Sequence, residues 1–466
     1  MRSVLSALLL LALAGPQLCA ALVTRGPWVG AVTENSAVLV ARLEVRADGA
    51  WLEVSESPDF RGARRIEPAT PPSEETPPEL VRFTLTDLRP QTLQYYRVRH
   101  PSDAGRPDEA TAAGSFRTFP RAGETASFRF AFGSCASTGS AHPVFEQIRA
   151  QQPAFFLTIG DLHYENIAEN RRERFHAAYD AVLGSPTQRA LYRVVPVVYT
   201  WDDHDFGPND SNRHSPSRLA SLAAYRDYVP HHPLPWDAEQ ATTPDQRKDG
   251  PIAQAFTLGR ARFLVLDTRS ERDAVRVPDS AAKTMLGAWQ KAWLQRELLA
   301  AKDKFPLIFI VSSVSWVSNE TDKRDNWGRF ATERAELSDW MVAHGITGVC
   351  FVSGDAHMLA ADDGRHNAYA RHGGPHFPAL QAAPLDRGGS IKGGPWSVAP
   401  VLPDQGEGQF GLVDVTDRGD RLDVLFRGLN QDGREKLRLE FSVPAAAGAR
   451  SDHALDAHPG AVGHQK

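Results

Sequence analysis

The sequence predicts an α/β protein in which an immunoglobulin- or fibronectin-like β-sandwich precedes a layered α/β domain. Residues 22–120 are rich in short β-branched and aromatic runs separated by turn residues, the pattern of an antiparallel sandwich. From Phe128 onward, apolar strands alternate with amphipathic helices, which argues for layers of helix on sheet. The length of 466 residues, with 42% hydrophobic and 23% charged, leaves room for two or three domains with a large core.

The elements follow in order. Arg2, the apolar run Val4 to Leu13 and the small residues Ala20 and Ala21 read as a cleaved secretory signal over residues 1–21, and so as an exported protein, periplasmic or extracellular. No other run reaches some 18 apolar residues, so no membrane span is expected. The sandwich is read from "AVLVARLEV", "AWLEVSES", "RFTLTDL", "QYYRVRH" and "GSFRTF", with a Pro- and Glu-rich loop from Ala69 to Leu80. The layered domain, 126–443, has six principal strands: "FRFAFGS", "AFFLTIGD", "VVPVVYTWDD", "RFLVLDTR", "LIFIVSS" and "TGVCFVSGD". Leu286, Trp289, Trp293 and Leu294 lie at helical spacing, and a second helix stops at Gly345. "FGLVDVT", "RLDVLFRGL" and "KLRLEFSV" complete the sheets, and residues 444–466 read as a flexible tail.

The formal net charge of -5 gives no sign of the concentrated basic surface that nucleic acid requires. Loss of the leader would leave Cys135 and Cys350 of the three cysteines. Cys350 lies inside an apolar strand and reads as core. Cys135 ends a strand.

The unusual polar residues gather at strand ends, where ligands bind in open α/β sheets. Cys135 follows the first strand, and Asp161, His163 and Tyr164 follow the second. Asp202, Asp203, His204 and Asp205 follow the third, Asp267 and Arg269 the fourth, and Asp355 and His357 the sixth. So many acids repel one another unless cations offset them. Carboxylates suit hard cations, whereas a thiolate, phenolate and imidazole suit a transition metal. The mixture points to two unlike metal sites sharing a carboxylate, a device for phosphoester hydrolysis by a metal-activated hydroxide.

These motifs resemble the alkaline phosphatase D family of metallophosphoesterases. The resemblance runs from "GPWVGAVTENSAVLVARL" through "FGSC", "GDLHY", "WDDHD", "VLDTR", "DNWGRF" and "SGDAH" to "GQFGLVDV". It implies an exported phosphomonoesterase or phosphodiesterase. By that resemblance Asp161 bridges the metals, and Cys135, Tyr164 and His357 hold ferric iron. Asp203 and Asp355 hold a second ion, calcium, with Asn209 of "FGPND" a further candidate; zinc or another divalent ion is the alternative. His204 would orient phosphate or serve as general acid. Asp267 and Arg269 read either as an ion pair bracing their loop or, for Arg269, as a substrate-phosphate ligand.

The expected partner is a small phosphoester, with phospholipid as a variant. Competing readings are a phospholipase-type phosphodiesterase, a non-catalytic calcium-dependent binding protein, and a hydrolase with Cys135 as nucleophile. Two long irregular segments, Phe206 to Pro251 and Asp362 to Pro400, are expected to build the substrate pocket. Their histidines (His214, His231, His232, His366, His372, His376) show no ligand spacing and read as polar loop residues.

Overall fold

A computed structural model describes residues 22–71, 74–101, 113–240, 243 and 249–445. The expected leader and nearly all of the expected tail lie outside the described residues. No helix among the described residues is long and apolar enough to cross a membrane.

The N-terminal part forms β1 (Val23–Gly30), β2 (Ala37–Leu43), β3 (Trp51–Ser55), β4 (Arg64–Ile66), β5 (Leu80–Leu85), β6 (Leu93–Arg99) and β7 (Gly114–Arg117). The α/β part adds β8 (Phe128–Gly133), β9 (Phe156–Ile159), β10 (Val197–Thr200), β11 (Gln254–Leu258), β12 (Ala261–Val265), β13 (Leu307–Ser312) and β14 (Val349–Ser353). It closes with β15 (Leu359–Asp362), β16 (Ala379–Ala382), β17 (Val398–Val401), β18 (Gln409–Asp417), β19 (Arg421–Asn430) and β20 (Glu435–Pro444).

These strands build two large sheets and one small one. The first runs β20-β19-β18-β8-β9-β10-β1-β2-β5, the second β11-β12-β13-β14-β16-β15-β17, and the small sheet β4-β3-β6-β7. The sandwich strands are continuous with the α/β part, because β1 lies parallel to β10 at Gly30–Val197. β8, β9 and β10 are parallel neighbours, as are β12, β13, β14 and β16.

Side-chain alternation explains why the two large sheets face each other. Phe130 and Phe132 of β8, Leu157 and Ile159 of β9, Phe263 of β12, Phe309 of β13 and Val352 of β14 share one buried cluster. The intervening Ala131 and Phe156 pack with the helices Val144–Ala150 and Arg172–Gly184. On the far side, Leu264, Ile308, Ile310 and Phe351 pack with the helices Gly287–Ala301 and Ala331–Ala343. The layers are therefore helix, sheet, sheet, helix. Strands covered on both faces read as continuous apolar runs, as the sequence has them, and each large buried side chain contributes about 1.5–3 kcal/mol. Cys350, Trp293 and the helix stop at Gly345 take the core and capping places expected of them. The edge that collects the polar residues is shared by two sheets, with β8, β9 and β10 in one and β12, β13 and β14 in the other.

Candidate metal centre

Three strands, β8, β9 and β14, deliver a side chain through a tight turn just past their ends. Cys135 (φ 64), Asp161 (φ 52) and Asp355 (φ 61) all adopt the left-handed conformation, which costs a non-glycine residue on the order of 1–3 kcal/mol. The glycines before the two aspartates are required by close approach. A Cβ on Gly160 would lie 2.3 Å from the Cβ of Asp202, and one on Gly354 would lie 2.6 Å from the carbonyl oxygen of Ile159. The Asp355 amide donates to Ser134 Oγ at 3.0 Å. Thr200 Oγ1 donates to the Leu266 carbonyl at 2.8 Å, so the ends of the two sheets are cross-linked.

Three unlike donor groups meet around Asp161. Tyr164 Oη donates to Asp161 Oδ2 at 2.7 Å, and Cys135 Sγ lies 3.5 Å from the same oxygen. His357 Nε2 is 3.4 Å from Tyr164 Oη. His357 Nδ1 lies 2.6 Å from the Gly388 carbonyl oxygen. A carbonyl only accepts, so the proton is on Nδ1 and the Nε2 lone pair faces the group, the ligating tautomer. Without a cation these groups resist ionisation. Burial, then Asp161 and Asp355, push the Cys135 thiol up. Burial, then Cys135 and Asp161, do the same to the Tyr164 phenol. Burial, with Asp203, Asp202 and Asp205 near, raises Asp161. Burial pushes His357 down to about 4.

A second group adjoins the first. Ligand atoms of Asp161, Asp203 and His204 lie within 4.8 Å of one another, as do those of Asp203, Asp210 and Asp325. The Asp210 amide donates to Asp203 Oδ2 at 2.7 Å. Asn209, the residue expected beside Asp203, is exposed, and its neighbour Asp210 belongs to the second of these groups. Asp355 Oδ1 accepts from Lys392 Nζ at 2.6 Å, while Asp355 Oδ2 is buried without a partner among the described residues. A buried unpaired carboxylate oxygen is costly. This thiol, phenol, imidazole and carboxylate set, with a further cluster of acids, fits metal ions of two kinds.

His204 stacks on Tyr164, ring centroids 4.2 Å apart. Asn166 Nδ2 donates to the Tyr164 carbonyl at 2.9 Å, which turns Asn166 Oδ1 to His204 Nδ1 at 2.6 Å. His204 therefore keeps its proton on Nδ1 and leaves Nε2 free to accept. Burial lowers its pKa against the pull of Asp203, and Arg269, Lys392 and Arg387 add to the lowering. Arg387 lies 4.2 Å over the Tyr164 ring.

Arg269 sits beneath the centre. It has no exposed surface, donates from Nε to Asp202 Oδ1 at 2.6 Å and pairs with Asp325 at 2.7 Å. The expected Asp267–Arg269 ion pair is not formed. Asp267 instead accepts from the backbone amides of Arg269 and Ser270, from Trp201 Nε1 and from Ser270 Oγ, so it organises the turn. His163 faces the apolar side against Phe175 and Tyr179. Among the described residues, none of the six loop histidines joins a ligand-spaced group. Asp325, Asp210, Asn166, Arg387 and Lys392 are the parts that sequence reasoning did not single out. Asp325 opens the "DNWGRF" motif, so its signal was present but carried no role.

A family profile described as PhoD-like phosphatase matches residues 130–393. Alkaline phosphatase D of Bacillus subtilis (strain 168) is 22% identical over 326 residues, 61% of this chain and 54% of that protein; the match thus spans about half of that relative's length. A solved structure of PhoD superposes with a TM-score of 0.68 at 17% identity, covering 93% of this chain and 92% of the other. The purple acid phosphatase PPD1 from yellow lupin (Lupinus luteus) seeds superposes with a TM-score of 0.58 at 12% identity, covering 90% and 74%. These likenesses carry the fold. The profile match spans more than half of the chain and includes every strand end that feeds the centre, and the chain belongs to the PhoD-like phosphatase family.

Proposed function

We propose that this protein is an exported, metal-dependent phosphoric ester hydrolase acting on phosphomonoesters and phosphodiesters. One observation carries the reading: a thiol, a phenol and an imidazole converge on the Asp161 carboxylate, which also borders a cluster of acids. Cys135, Asp161, Tyr164 and His357 suit ferric iron. Asp161, Asp203 and Asp355 suit calcium or another divalent ion, with Asp210 and Asp325 close by. When bound, such a pair stabilises phosphoryl charge and acidifies water for attack. Export rests on the leader pattern of residues 1–21 alone.

The chain's own groups supply the rest. Lys392 holds its charge at Asp355, because that carboxylate, with Asp203 beyond it, offsets the effect of burial on the ammonium. With Arg387 it places positive charge where phosphoryl oxygens arrive. His204, fixed through Nδ1 by Asn166, presents Nε2 to the reaction. Burial makes its imidazolium a stronger acid, suited to protonating the departing alkoxide from Nε2. Arg269 balances the acids from below and has no surface with which to touch substrate.

The test joins metal content to turnover in the chain from Leu22. Iron, calcium and zinc are measured by elemental analysis. p-Nitrophenyl phosphate and bis-p-nitrophenyl phosphate are assayed before and after chelation. Tyr164→Phe is expected to abolish a visible phenolate-to-iron band and to lower kcat/KM at least ten-fold, since even outer-shell changes cost about 10–100-fold. A metal-free, folded chain that still turns over would sink the reading. A metal-loaded chain inert towards both esters would favour a calcium-dependent binding protein.

A further inference from the structure

Beside the acid cluster opens a groove of about 730 Å³, within the range of ligand sites. Its lining includes Asn209 and Asp210. Asp210 also belongs to the group with Asp203 and Asp325, so the groove begins where the metal centre ends. The lining is otherwise basic, with His214, Arg276, Lys323 and Arg329.

The adjacent cations are neutralised. Arg324 pairs with Asp322 at 2.8 Å, Arg213 with Asp273 at 2.5 Å, and Arg272 with Asp325 at 2.5 Å. The side chains of Arg276, Lys323 and Arg329 have no such partner among the described residues, and the Nε of Arg329 is buried without an acceptor. Unpaired cations gathered in one concavity repel one another until an anion joins them. Guanidinium forks and an ammonium point charge together match phosphate.

We propose that this groove binds a second phosphate carried on the alcohol side of the substrate, so that the preferred phosphoesters have a phosphorylated leaving group. This rests on the hydrolase reading, with the scissile phosphate at Asp161 and its neighbours. Asp210 marks the passage from one to the other, and the three cations hold the distal phosphate while the chemistry proceeds.

The test uses the metal-loaded chain and phosphate esters of propane-1,3-diol and hexane-1,6-diol whose far end is a hydroxyl, a carboxylate or a phosphate. With p-nitrophenyl phosphate alongside, failure of the hydrolase reading appears separately, as loss of all turnover, and the inference falls with it. The far-end phosphate is expected to raise kcat/KM by about ten-fold or more over the hydroxyl, through KM. Added salt should erode that gain. In the double variant Arg276→Ala/Lys323→Ala the gain should shrink to within about two-fold, with turnover of p-nitrophenyl phosphate unchanged. Both side chains are exposed, so folding is not at risk. Equal kcat/KM for all far ends, an equal gain from the carboxylate, or a gain that survives the double variant would overturn the proposal.

Discussion

Arg269 shows how one buried side chain sets the electrostatics of the centre. Its guanidinium touches Asp202 and Asp325 and lies 3.8 Å from Asp203. Burial alone would raise Asp203 and Asp325, yet Arg269, joined by His204 at the first and Arg272 at the second, holds both below the ordinary carboxylate range. Removing one partner from a buried ion pair leaves charge uncompensated and costs about 3–5 kcal/mol. Arg269→Met should therefore lower the unfolding free energy by that order at fixed metal content, read from the urea midpoint. Arg269→Lys should recover only part of it, because an ammonium cannot fork between carboxylates. An unchanged midpoint with a raised KM would instead make Arg269 a phosphate ligand, the role its loop position suggested. Sequence reasoning could see an arginine after a strand; it could not see burial, which depends on β10, β12 and the Asp325 segment meeting. Lys392 was hidden for the same reason, since 37 residues separate it from Asp355.

At the scale of elements, the strand-end turns fix the ligand positions. Gly160 combines a φ of +83 with a Cβ position 2.3 Å from Asp202 Cβ and 2.7 Å from its amide nitrogen. Gly373 has a φ of +86 and nothing within 4 Å of the same position, so it isolates the conformational cost. Gly373→Ala should cost about 1 kcal/mol, the usual strain of an alanine at positive φ. Gly160→Ala should cost at least about 2 kcal/mol more, since the β10 end must move, and should also lower metal stoichiometry by shifting Asp161. Thermal unfolding and elemental analysis of both variants check this, and equal losses would mean the clash is relieved without effect. The "GD" pairs were legible because a glycine before an acid at a strand end is a local signal. Which strands share a sheet was not. β9 and β13 are runs of four and six mostly apolar residues buried on both faces, and nothing local to either says that they stand in different sheets.

The whole molecule is held by an aromatic cluster between the two sheets, and it carries a pH dependence of its own. Phe130, Phe155, Phe256, Phe263 and Phe309 stack or meet edge to face. Phe119, from the end of the sandwich, joins them, so the three sheets share one core. His232 caps this cluster, parallel to Phe256 at 4.7 Å and only 2% exposed. Burial pushes its pKa down from 6.5 to about 3. Between those values the unfolded chain binds a proton that the native chain refuses. Stability therefore rises with pH across that window, and it is lost as pH falls below about 6.5. The slope is about 1.4 kcal/mol per unit, or roughly 2 kcal/mol between pH 6.5 and 5. His232→Phe keeps an aromatic ring on Phe256 and removes the titration. The stability advantage of wild type over the variant, whatever its size at pH 7, should fall by roughly 2 kcal/mol at pH 5. Denaturant melts of both chains at the two pH values measure it. Parallel curves would show that His232 takes up its proton in the native fold, and that the cluster opens to water there.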